Sequence, residues 1–316
     1  MTKIGGDRNF GWGKQMAWAG KQALRDRFGP GHYGTVASHA DRWRSFCGWA
    51  REQGIRDARA IDQSLLLSYG HHLAQQVGAE TKSVSYAQNQ LTSVNVTLEA
   101  LRGDKQLQVS PAEMVGRRTG VRTAPPAGLD RHLFSKAVQQ LHDRGRLRTA
   151  SVVELCRELG LRRREAALMD LQEAVRQART LGRVNVTRGT KGGRGRSVDR
   201  WVPVSDSAVA ALHRALNASS DSRNLVPKGV TLKEWLPRLS REWGHVSKLS
   251  GLGTIRDLRA AFACERYQEM TGCPAPAVAA SRSADKDDDL CARQAIAHEL
   301  GHGRVDVIAA YVGSSK

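Results

Sequence analysis

The sequence predicts a mainly α-helical protein with one small β-hairpin, divided into two domains. Three observations predict it. A length of 316 residues corresponds to two domains at roughly 150 residues each. Apolar residues recur at helical spacing in both halves, and Pro- and Gly-rich sequence interrupts them over 108–128. At 183–204, apolar and polar residues alternate on either side of a Gly-rich turn, the pattern of a hairpin.

Residues 1–33 form a basic N-terminal arm. A helix is expected from Gln15 to Phe28, stopped by Gly29-Pro30-Gly31, with Trp12, Trp18 and Phe28 among Lys14, Lys21, Arg25 and Arg27. The pattern suits a helix packed on its neighbour and an arm that grips a polyanion equally well. Residues 34–107 read as a small helical domain. Val36, Ala40, Trp43, Phe46, Cys47 and Ala50 line one helix face. Asp62 caps a second helix that Gly78 ends. Thr81 or Ser83 opens a third, with Tyr86, Leu91, Val94 and Leu98 inward. Residues 108–128 read as a basic linker carrying Arg117 and Arg118. Residues 129–316 form the second domain. Its strands are expected at 183–187 and 198–204, joined by a turn that holds Lys191, Arg194 and Arg196. Helices flank the hairpin, at 133–142 and 149–159 before it and at 206–218, 231–249 and 255–270 after it.

Charge narrows the function. The chain holds 49 Lys and Arg against 31 Asp and Glu, a formal net charge of +18. Such an excess repels itself unless it meets a polyanion, and its spread over both halves favours nucleic acid over a membrane surface. No apolar run of about 18 residues is present and the N-terminus lacks a signal-peptide pattern, so a cytoplasmic, DNA-associated protein is expected. The five cysteines form no CxxC pair and read as reduced thiols.

Five features follow one another in the second domain: Gly160-Leu161-Arg162-Arg163-Arg164-Glu165, the hairpin-tip Lys191, Arg256-Asp257-Leu258-Arg259, Leu300-Gly301-His302, and Tyr311. Each alone is ordinary. RxxR even places two cations on one helix face, a repulsive pair unless an anion lies between them. Together and in this order they resemble the tyrosine recombinases, the phage-type integrases. The resemblance implies a DNA clamp made of a helical core-binding domain and a catalytic domain. It implies a catalytic set of Arg162, Lys191, Arg256, Arg259, His302 and Tyr311, with no metal or cofactor. Arg162, Arg256 and Arg259 would hold the phosphate, and His302 would hydrogen-bond it. Tyr311 would attack to form a 3′-phosphotyrosyl bond, and Lys191 would protonate the leaving 5′-oxygen. A free tyrosine hydroxyl, with a pKa of about 10, is a poor nucleophile, and the surrounding cations favour its ionised form.

Two departures from the family pattern stand out. Arg256 replaces the usual His; it can donate to a phosphate but cannot act as a base. The segment between Arg259 and His302, with the run Asp285-Lys286-Asp287-Asp288-Asp289, is longer than in compact relatives and reads as a surface insert. The expected partners are double-stranded attachment sites, a homotetramer formed on DNA, and accessory bending or directionality factors. Two rivals keep the fold: a type IB topoisomerase-like relaxing enzyme, and a non-catalytic DNA-binding protein. A third reading takes His298-Glu299-Leu300-Gly301-His302 as the HExxH of a zinc protease. That motif needs a third ligand downstream, and neither Glu nor His follows His302.

Overall fold

The computed structural model describes residues 7–316, with the side chains of Arg194 and Arg196 outside the described residues. The first six residues of the expected arm therefore also lie outside them. Two compact units divide the chain, the first ending at Thr119 and the second beginning at Gly120.

In the first unit the helix Met16–Phe28 belongs to the core. Met16, Ala19 and Ala23 pack with Trp43, Phe46, Leu91, Val94 and Leu98. The contact is close because Gly20 has no side chain: a Cβ there would stand 2.2 Å from Trp43 Nε1. That indole nitrogen donates to the Met16 carbonyl at 2.9 Å. Over Met16–Phe28 the arm is thus a helix packed on its neighbour. The helices Tyr33–Glu52, Gln63–Gly78 and Val84–Arg102 complete the unit. The Asp62 carboxylate accepts from Leu65 N and the Ser83 hydroxyl from Tyr86 N, each satisfying a free N–H at a helix start. Of the stretch expected to be linker, Pro111–Val115 is a short helix whose Val115 is buried in this core.

The second unit is helical around a two-stranded antiparallel sheet, Arg183–Asn185 with Trp201–Pro203. The strands are shorter than their alternation suggested. Gly192 and Gly193 adopt positive φ (67° and 73°), and the tip winds into helical turns over 191–196. The Thr190 hydroxyl accepts from Gly195 N at 2.9 Å and holds the turn together. Gly189, at φ 74°, lets the tip lie against the turn at 162–165; a Cβ there would meet the Arg164 carbonyl oxygen at 2.6 Å.

The expected surface insert is instead a core element. Lys286–Glu299 is a helix that buries Ala292, Ile296 and Ala297. It buries Arg293 as well, whose guanidinium donates to the carbonyls of Gly313 and Ser314 at 3.0 and 2.9 Å. The segment thereby ties down the chain just after Tyr311. Among the described residues no helix is long and apolar enough to cross a membrane.

Candidate active site

Three helix ends bring the site together. The first is the turn before the helix Arg163–Leu168. The Arg162 N–H and guanidinium both donate to the Glu165 carboxylate, at 2.7 and 2.6 Å, so one acid caps the helix and orients the arginine.

The second is the helix Ile255–Thr271. Asp257 accepts from Thr254 N and Oγ1 at its start, and from Arg122 Nη2 at 2.8 Å. Arg259, one turn in, is buried and donates to the carbonyls of Gly160 and Leu300.

The third is the end of Lys286–Glu299. Gly301 turns left-handed at φ 64°, and His302 N returns to the Ala297 carbonyl at 2.7 Å. The Leu-Gly-His sequence is therefore a helix stop that aims an imidazole. His302 Nε2 lies 3.2 Å from Tyr311 Oη and 3.3 Å from Arg259 Nη2. Arg259 has only protons to offer, which makes Nε2 an acceptor and places the ring proton on Nδ1. The Arg259 guanidinium also sits 5.5 Å from the centroid of the buried Tyr311 ring.

Electrostatics reinforce this arrangement. Burial, then the charges of Arg259, Arg162 and Arg200, push the His302 pKa down to about 4, so the ring is neutral at neutral pH. Burial also draws Arg259 down to about 10, with Tyr311 opposing and Arg162 and Arg200 adding to the fall; it keeps its charge at neutral pH. Burial would raise Glu165, but Arg200, Arg162 and Arg259 overcome it and hold the carboxyl below its usual range. One buried carboxylate thus faces three guanidiniums, leaving a local positive excess suited to a phosphate.

A cavity of about 500 Å³ opens over these groups, lined by Arg162, Arg163, Trp243, Arg256, Arg259 and Tyr311. Arg256 is exposed at its wall. A second, smaller cavity is lined by Arg162, Lys191, Arg200, His298 and His302. Arg162 lines both, so the six expected residues converge on adjoining spaces. The resemblance pointed His302 at a phosphate; here it faces Tyr311 and Arg259. Arg117 and Arg118 are exposed and fall in the first unit.

The zinc-protease alternative fails on geometry. Glu299, which would be its base, is buried and paired with Arg266 at 2.8 and 3.0 Å. His302 turns to Tyr311, and among the described residues no three metal-binding side chains group together. Sequence reasoning missed Arg200. Its signal was a charge two positions before Val202, on the same inward face of the strand.

Comparison with known proteins gives a family match to part of the chain and a fold match to nearly all of it. Residues 120–265 match the family model described as Integrase. The match falls within the second unit and covers somewhat less than half of the chain. No curated protein matches the chain. Among solved structures, the Tn1549 transposon integrase in complex with transposon right end DNA has a TM-score of 0.60 at 12% identity, covering 95% of each chain. A lambda integrase dimer bound to a COC′ core site has a TM-score of 0.59 at 14% identity, covering 93% of this chain and 75% of that one. A lambda integrase tetramer bound to a Holliday junction has a TM-score of 0.55 at 14% identity, covering 93% and 76%. The integrase fold therefore extends through both units.

Proposed function

We propose that the protein is a site-specific recombinase, the integrase of a mobile element, that cleaves and rejoins DNA through a 3′-phosphotyrosyl intermediate. The observation that carries this reading is Tyr311 Oη, 3.2 Å from a neutral His302, beside the cavity that Arg162, Arg256 and Arg259 line. A phosphodiester in that cavity meets cations on its non-bridging oxygens, where charge builds during attack. Tyr311 Oη bonds to phosphorus as His302 Nε2 takes its proton. Arg256 has no basic lone pair, so this role falls to His302. The bond to the 5′-oxygen breaks and Lys191 protonates the leaving alcohol. A second 5′-hydroxyl then attacks the phosphotyrosine and rejoins the strand, so the covalent bond conserves what ATP would otherwise supply. The substrate is duplex DNA at an attachment site, where the chain assembles as a tetramer. Arg117, Arg118, Arg194 and Arg196 contribute backbone contacts.

A nicked duplex tests the reading, once its bound sequence has been selected from a random duplex pool. A covalent adduct at the 3′-phosphate is expected. Binding without an adduct would instead favour a DNA-binding protein that keeps only the fold. Acid sensitivity offers a second check. Single-turnover cleavage should hold steady from neutral pH down to about 5 and fall below that, as His302 gains its proton and can no longer accept one. A midpoint near 6.5, the ordinary histidine value, would contradict a buried, cation-flanked base.

A further inference from the structure

Arg200 lies at the end of the hairpin, 5% exposed, in none of the recombinase motifs. Three contacts fix it. Its Nε donates to the Glu299 carbonyl at 2.7 Å. Its Nη1 lies 2.9 Å from Glu165 Oε1, the same oxygen that Arg162 Nη1 meets at 2.6 Å. Gly301 makes room for it: a Cβ there would stand 3.0 Å from its Cδ and 3.2 Å from Nε and Nη1. Neither Nη1 nor Nη2 makes a hydrogen bond of good geometry among the described residues, so the Glu165 contact is one of charge at close range.

We propose that Arg200 is a positioning residue of the cleavage site: it engages the Glu165 carboxylate and so leaves Arg162 and Arg259 free to turn their charge on the phosphate. The inference rests on the proposed recombinase function. Glu165 carries one negative charge. With Arg162 as its sole close partner the pair is neutral, and the phosphate loses one clamp. With Arg200 on the same oxygen, the pair plus Arg200 keeps a net positive charge, and Arg162 is oriented without being neutralised.

Arg200 also belongs to the set of charges around His302. Arg259, Arg162, Glu165 and Tyr311 face that ring from the other elements, and Lys191 and His298 line the adjoining cavity. Removing a cation from this set makes the imidazole easier to protonate.

The test compares full-length Arg200→Met and Arg200→Lys with wild type and Tyr311→Phe on the selected nicked duplex, by single-turnover cleavage against pH and by duplex affinity. In Arg200→Met, cleavage should fall about 100-fold, the scale expected when a reacting group is misplaced, with duplex affinity unchanged. Its acid limb should move to higher pH. Arg200→Lys keeps the charge and loses the fork, so its rate should fall while its acid limb stays in place. A wild-type rate and acid limb in Arg200→Met would overturn the proposal. If that variant does not fold, a wild-type rate in Arg200→Lys overturns it instead. Absence of an adduct with wild type would overturn the recombinase reading itself, an outcome distinct from either.

Discussion

Tyr311→Phe should bind the selected nicked duplex as tightly as wild type and form no covalent adduct on a denaturing gel. The substitution removes one oxygen and keeps the ring that packs beneath Arg259. The lost contact is the hydrogen bond between Tyr311 Oη and His302 Nε2, so folding should weaken by only about 1 kcal/mol. The cations of the cavity remain, and with them the electrostatic grip on the duplex. What disappears is the proposed nucleophile, so the drop should run to background rather than by a partial factor. An adduct of undiminished yield in this variant would assign the attack to another side chain.

Lys191→Ala should lose about 100- to 10,000-fold in cleavage of ordinary DNA, the range for removing a positioned general acid. The defect should nearly vanish on a duplex whose scissile 5′-bridging oxygen is replaced by sulfur. A thiolate leaves without a proton, because a thiol is far more acidic than an alcohol, so the acid becomes dispensable. Arg162 and His302 line the same small cavity as Lys191, but in the proposed mechanism they act on the phosphate and the nucleophile rather than the leaving group. Their loss should therefore not be rescued by sulfur. An equal defect of Lys191→Ala on both substrates would remove the lysine from the role of acid and leave it a phosphate contact.

How far the site could be read from the sequence depended on what kind of order each residue obeyed. Arg162, Arg256, Arg259 and His302 lie at helix starts and stops. Local signals mark those places: Glu165 three positions after Arg162, Thr254 and Asp257 capping the next helix, Gly301 before His302. Chain order made them recognisable together. Arg200 obeys no such order. Its partners Glu165 and Glu299 are distant in sequence and meet it only through the tertiary fold. The helix Lys286–Glu299 carries local signals that its charge obscures. Its run of acids resembles a solvated loop, yet Asp285 accepts from Asp287 N, and Asp287, Asp288 and Asp289 fill the first turn, where negative charge suits the helix dipole. The hairpin was visible in its alternation, but the Gly-rich tip traded ladder length for turns.

That helix also sets a rule for how the chain can change length. It ends in the turn that aims His302 at Tyr311, and its Arg293 holds the carbonyls of Gly313 and Ser314. Each residue added to a helix advances it by about 1.5 Å and rotates it by about 100°. An insertion or deletion of one residue between Arg293 and Leu300 would leave the imidazole and the arginine facing different directions. A one-residue insertion between Arg293 and Leu300 should therefore abolish adduct formation, because the last two turns of this helix set the distance between His302 and Tyr311.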